Sequence, residues 1–76
     1  MKELLEFIVK NIIGEDFELV EESEEGRVDF LLKIPGDKAG LIIGRGGNTI
    51  KSIQDILRIK ATLEKKYVNI KVEPLS

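Results

Sequence analysis

Leu4, Leu5, Ile8, Val9 and Ile12 recur at three- and four-residue intervals, the spacing that lines one face of an α-helix. Residues 2–13 therefore read as an amphipathic helix, stopped by Gly14. The period then changes. Phe17-Glu18-Leu19-Val20-Glu21-Glu22 and Arg27-Val28-Asp29-Phe30-Leu31-Leu32-Lys33-Ile34 approach alternation, with turn-forming Ser23-Glu24-Glu25-Gly26 between them. This pattern predicts an antiparallel hairpin in which Val28, Phe30, Leu32 and Ile34 face a core and Arg27, Asp29 and Lys33 face away.

Pro35-Gly36 ends the second strand, and Asp37 is placed to cap a short helix from about Lys38 to Ile43. Gly44 to Gly47 turns the chain into a longer helix, from Gly47 or Asn48 to Leu63. That helix directs Ile50, Ile53, Ile56, Leu57 and Ala61 inward and Lys51, Gln54, Asp55, Arg58 and Thr62 outward. Tyr67-Val68-Asn69-Ile70-Lys71-Val72-Glu73 alternates cleanly, and Pro74 is expected to end this third strand. The order is helix-strand-strand-helix-helix-strand. Because the last strand follows a helical crossover, it should run parallel to an earlier one, giving a three-stranded mixed sheet with three helices on one face. An α+β fold follows, and 76 residues without repeat or linker predict a single domain over 1–76.

Composition narrows the chemistry. The chain has no cysteine and no histidine, which removes thiol nucleophiles, disulfides, the usual general base and the common zinc and iron–sulfur ligands. No cofactor, metal or enzymatic activity is expected. The acidic start Met1-Lys2-Glu3-Leu4-Leu5-Glu6 does not resemble a signal peptide, and no apolar run approaches membrane-spanning length, so a cytoplasmic protein without a membrane partner is expected. The cluster Glu21, Glu22, Glu24 and Glu25 reads as a solvated turn, because consecutive strand residues point to opposite sides and do not converge on an ion.

Net charge is −2, but its distribution is uneven. Residues 1–37 hold 4 Lys/Arg against 11 Asp/Glu, a balance of −7, and residues 38–76 hold 8 against 3, a balance of +5. The basic half begins where the glycines cluster, which suggests one face for polyanions and one that repels them.

Within that half, Leu41-Ile42-Ile43-Gly44-Arg45-Gly46-Gly47-Asn48-Thr49-Ile50 runs an apolar helix end through a Gly-X-X-Gly turn directly into a second apolar-periodic helix. Such a junction leaves bare backbone N–H groups at a helix start, accessible to a phosphate. Two better-known phosphate loops are excluded. Gly47-Asn48-Thr49 lacks the lysine of a P-loop, and the dinucleotide fingerprint needs a glycine where Thr49 stands and a strand before it. A glycine pair alone occurs in any sharp helix–helix turn. Here Ile43 and Ile50 flank the pair at fixed distances, helices adjoin both sides and strands bracket the whole, which favours a nucleic-acid clamp.

The site expected from this pattern comprises Gly44, Arg45, Gly46 and Gly47, with Arg45 at the tip able to pair with phosphate. Lys38 and Lys51 flank it as supporting phosphate contacts. Ile42, Ile43 and Ile50 would form core or an apolar floor under the bases, and Asn48 and Thr49 would cap the helix first and touch RNA second. Phe7, Phe17, Phe30 and Tyr67 lie singly or in core positions, without the paired strand aromatics of RRM-type base stacking.

The motif and the element order together resemble a type II KH domain, whose GXXG loop holds about four nucleotides of single-stranded nucleic acid. Along its whole length the chain is similar to the small bacterial KH proteins of the YlqC-like (KhpA) family. Ala39-Gly40-Leu41-Ile42-Ile43-Gly44-Arg45 also resembles the KH portion of KhpB-like proteins, which continue into a second nucleic-acid-binding domain. The resemblance implies a single-stranded RNA-binding protein, an RNA chaperone or post-transcriptional regulator. It further implies homodimers and a KhpB/Jag-type KH partner, in control of cell elongation and peptidoglycan homeostasis. By position the variable loop of the KH groove is Ser23-Glu24-Glu25-Gly26, short and acidic, which implies modest affinity resting on one side of the groove. The competing expectation is a KH scaffold used for dimerisation, with little RNA binding of its own.

Overall fold

The computed structural model describes residues 1–75. Its elements are α1 (Lys2–Ile13), β1 (Glu18–Glu24), β2 (Arg27–Pro35), α2 (Gly36–Ile43), a tight turn over Arg45–Gly47, α3 (Asn48–Leu63) and β3 (Tyr67–Leu75). The sheet order is β1-β2-β3. β1 pairs antiparallel with β2, and β3 pairs parallel with β2, so the mixed sheet follows from a hairpin plus one helical crossover. The expected α+β architecture, three helices and a three-stranded mixed sheet, is present.

The period-2 pattern of β2 sets the core. Val28, Phe30, Leu32 and Ile34 are all buried, and their neighbours in register, Val68, Ile70 and Val72 of β3 and Leu19 of β1, present the same face. Against that face pack Leu5, Val9 and Ile13 of α1, Ile42 of α2, and Ile53 and Leu57 of α3. Arg27, Asp29 and Lys33 lie on the opposite side of β2, as their alternation requires.

Five details depart from the sequence reading, each for a local reason. Ile13 rather than Ile12 completes the buried row of α1, because 5, 9 and 13 follow one four-residue ridge while position 12 rotates towards its flank. The hairpin turn is only Glu25-Gly26, with Glu24 already paired to Arg27, since Gly26 at φ +76° closes the two-residue loop. Asp37 does not cap α2. Pro35 occupies the cap position at φ −55° without a side-chain hydrogen bond, and Asp37 lies in the first turn, where its charge favours the helix dipole. Pro74 does not end β3, which continues to Leu75; β3 is an edge strand, where a missing N–H donor is tolerated. Ile56 is 47% exposed, because the buried line of α3 runs through Ile53, Leu57 and Ala61 and position 56 falls beside it.

Candidate nucleic-acid interface

The glycine turn has a backbone that only its composition permits. Gly44 stands at φ 76°, ψ 174°, a region essentially closed to residues with a Cβ, and Gly46 and Gly47 follow in left-handed conformations at φ 63° and φ 79°. Space adds a second restriction at Gly44. A Cβ built there would lie 2.7 Å from Thr49 Cβ and 2.8 Å from the Thr49 backbone nitrogen, so α2 and α3 meet at van der Waals distance across this one hydrogen atom. At Gly46 and Gly47 the corresponding space is open.

Hydrogen bonds hold the turn from within. Gly44 N–H donates to Gly40 O at 2.8 Å, Gly47 N–H donates to Gly44 O at 3.1 Å, and Asn48 N–H donates to Arg45 O. Among the described residues the amides of Arg45 and Gly46 donate none of these bonds. Three positive-φ glycines thus leave Arg45 as the one side chain of the loop at the start of a 16-residue helix, whose dipole favours an anion at the same place.

The expected flanking residues divide. Arg45 is exposed at the loop, and Lys51 is exposed one turn into α3; neither has a carboxylate within salt-bridge distance among the described residues. Lys38 is already engaged. Its ammonium lies 3.5 Å from Asp16 and donates to Ile13 O at 3.4 Å, tying α2 to the end of α1. Ile42 is fully buried and belongs to the core, Ile50 is half-buried, and Ile43 is 40% exposed immediately before the loop. Asn48 and Thr49 provide no side-chain cap, because Gly47 holds the cap position; Asn48 is exposed, and Thr49 is half-buried against Gly44.

One feature went unread in the sequence. α3 carries a second apolar stripe, Ile56, Ile59 and Leu63, on the side away from the core, exposed by 47%, 66% and 81%. Its spacing of three and four residues was a usable signal, but a helix with two stripes gives no single hydrophobic face to follow. The acidic hairpin turn lies far from the glycine loop. Tyr67 N–H donates to Gly26 O at 2.9 Å, which places Glu24 and Glu25 beside the C-terminal end of α3, about 24 Å of helix from Gly47.

Comparison with known proteins agrees with this geometry. The family described as "KhpA/KhpB, KH domain" matches residues 2–72. A protein named RNA-binding protein KhpA from Thermotoga maritima is 38% identical over 74 residues, covering 95% of this chain and 97% of its own length. Proteins of the same name from Clostridium perfringens and Chlamydia trachomatis are 31% and 32% identical, each over 95% of this chain and over 99% and 95% of their own lengths. The matched family is an RNA-binding one and not an enzyme family, and the three helices on a three-stranded mixed sheet are consistent with its α+β KH fold. The chain belongs to the KhpA/KhpB family of KH-domain proteins.

Proposed function

We propose that this chain, as one KH domain over 1–76, binds single-stranded RNA in the cytoplasm by seating a phosphate backbone on the Gly44-Arg45-Gly46-Gly47 loop. The observation that carries this reading is the loop itself. Three constraints, Gly44 against Thr49 and left-handed Gly46 and Gly47, hold a glycine-built backbone surface at a helix start. A plain helix–helix turn needs no such surface. The relatives' shared name, RNA-binding protein, supports the same ligand class. Arg45 supplies charge at the tip, Lys51 supplies it on the first turn of α3, and Ile43 and Asn48 border the loop where a base would lie.

Because Lys38 is tied to Asp16, two cations rather than three are free to meet phosphates near the loop. Binding of a short single strand should therefore show a log-affinity against log-salt slope of about −1.4, from about −0.7 per contact. Fluorescence anisotropy across a salt series measures it. Lys38→Gln should leave the slope unchanged, while Lys51→Gln should shrink it by about 0.7. A slope near zero would remove the phosphate-seating reading.

A second reading concerns assembly, and the exposed stripe Ile56, Ile59, Leu63 favours it. An apolar helix face flanked by charges is what a helix-to-helix dimer buries, and Leu41 of α2 is a further exposed apolar residue in the same half of the chain. The partner is a second copy of this chain or a larger KhpB/Jag-type KH protein; the family name, which joins KhpA and KhpB, supports that pairing. The wider role in RNA chaperoning, cell elongation and peptidoglycan homeostasis rests on the resemblance alone. Ile59→Glu is expected to yield a folded monomer by sedimentation at concentrations where the parent chain dimerises. A parent chain monomeric at all concentrations would dismiss self-association through α3.

A further inference from the structure

Most of the cations without a salt-bridge partner gather at the two ends of α3. Among the described residues, Arg45 and Lys51 stand free at the start of α3 and Lys60, Lys65 and Lys66 at its end; Lys2 and Lys33, elsewhere in the fold, are the other cations without a carboxylate within reach, and Lys10, Arg27, Lys38, Arg58 and Lys71 each have one. Lys51, Arg58 and Thr62 are spaced seven and four residues apart, so they lie along one flank of α3 and join its two ends. Arg58 is engaged only by the exposed Asp55 at 3.7 Å, a contact weak enough to exchange.

At the far end of that flank, Thr62, Lys65, Lys66 and Tyr67 line a shallow depression of about 270 Å³. Tyr67 is 82% exposed, an aromatic ring in solvent beside two lysines. Lys65 is the one non-glycine residue at positive φ among the described residues, at φ 58°. It sits just past the helix end, where Lys66 N–H bonds back to Ala61 O at 2.8 Å and Lys65 N–H to Thr62 O at 3.0 Å, a closure that favours glycine at this place. A cation kept in a conformation that glycine would fill without strain points to use of the charge. The Tyr67 N–H to Gly26 O bond brings the acidic hairpin turn, with Glu24 and Glu25, to the neighbourhood of Tyr67, where its charge would turn a polyanion along α3 instead.

We propose that Lys65, Lys66 and Tyr67 form a second contact for single-stranded RNA, in which a base stacks on the Tyr67 ring while the two ammonium groups hold its phosphates, with Lys51 and Arg58 marking the path from the glycine loop. The inference rests on the loop being the first contact. About 24 Å separate the two ends of α3, at most roughly seven nucleotides even at the compact duplex spacing of about 3.4 Å each. A strand that fills the loop alone is too short to reach Tyr67; one longer by that amount is not.

The experiment compares oligouridines of about four and about twelve nucleotides by anisotropy, with the unfolding midpoint of each variant recorded. Tyr67→Ala is expected to weaken the long oligomer about tenfold and leave the short one unchanged, and Tyr67→Phe, which keeps the stacking face, to restore it. Lys65→Gly should weaken the long oligomer and shrink its salt slope by about 0.7, while its unfolding midpoint stays the same or rises. A purely structural lysine would not produce that combination. Equal affinity of parent and Tyr67→Ala for the long oligomer, or equal losses on both lengths, overturns the proposal while the loop reading stands. So does a Tyr67→Ala variant that loses self-association and keeps its RNA, which would assign the ring to a protein interface. Failure of the parent chain to bind either length overturns both readings.

Discussion

Gly44→Ala is expected to lower the unfolding free energy by about 3 kcal/mol, because two penalties fall on the same atom. The φ 76°, ψ 174° backbone excludes a Cβ on conformational grounds, and the added methyl would stand 2.8 Å from the Thr49 backbone nitrogen, which cannot rotate away as a side chain could. Relief requires α2 and α3 to separate at their junction, pulling on buried Ile42 and Ile53. In a domain of this size such a loss corresponds to about 12 to 24 °C in Tm. Gly46→Ala and Gly47→Ala meet open space and bear only the left-handed backbone cost, about 1 kcal/mol each. Urea denaturation of the three variants ranks them, and a Gly44→Ala variant no less stable than Gly47→Ala would show that the junction is looser than described.

Most of the fold was legible because its signals are local. The alternation in Arg27–Ile34, the three- and four-residue spacing in Lys2–Ile13 and the glycine between them determine the hairpin and first helix almost to the residue. The crossover rule then makes β3 parallel to β2. The misread points involve competition that a linear pattern does not express. Pro74 continues β3 because the strand is at an edge, a property of the assembled sheet. Asp37 yields the cap to Pro35 because α2 starts two residues earlier than the capping pattern suggests.

At the candidate site, residue types were readable and their partners were not. The Gly-X-X-Gly run announces a tight, glycine-built turn, but the close approach of Thr49 to Gly44 follows only from the angle at which α3 leaves the loop. Lys38 stands next to the motif in sequence, yet it is drawn to Asp16 and Ile13 O by the packing of α1, 22 and 25 residues away. The outer stripe of α3 escaped the sequence reading because Ile56 satisfies the spacing of the inward face and was placed there, leaving Ile59 and Leu63 unassigned.

The double substitution Arg45→Asp with Gly46→Asp is the most direct measurement of whether RNA rests on the glycine loop. It replaces one exposed cation and one bare position by two carboxylates where phosphate must approach, and each like-charge pair at about 4 Å costs about 1 to 4 kcal/mol between water-like and surface dielectric. The fold should tolerate it. A Cβ at Gly46 meets nothing within 4 Å, and aspartate accepts the left-handed backbone better than most residues, at about 1 kcal/mol. Anisotropy with a labelled single-stranded RNA at low salt, paired with a circular-dichroism melt, gives both quantities from one preparation. The expected result is a loss of affinity of at least about 100-fold with the cooperative melt retained; a folded double variant that binds the same RNA as tightly as the parent chain would contradict the seating of RNA on Gly44–Gly47.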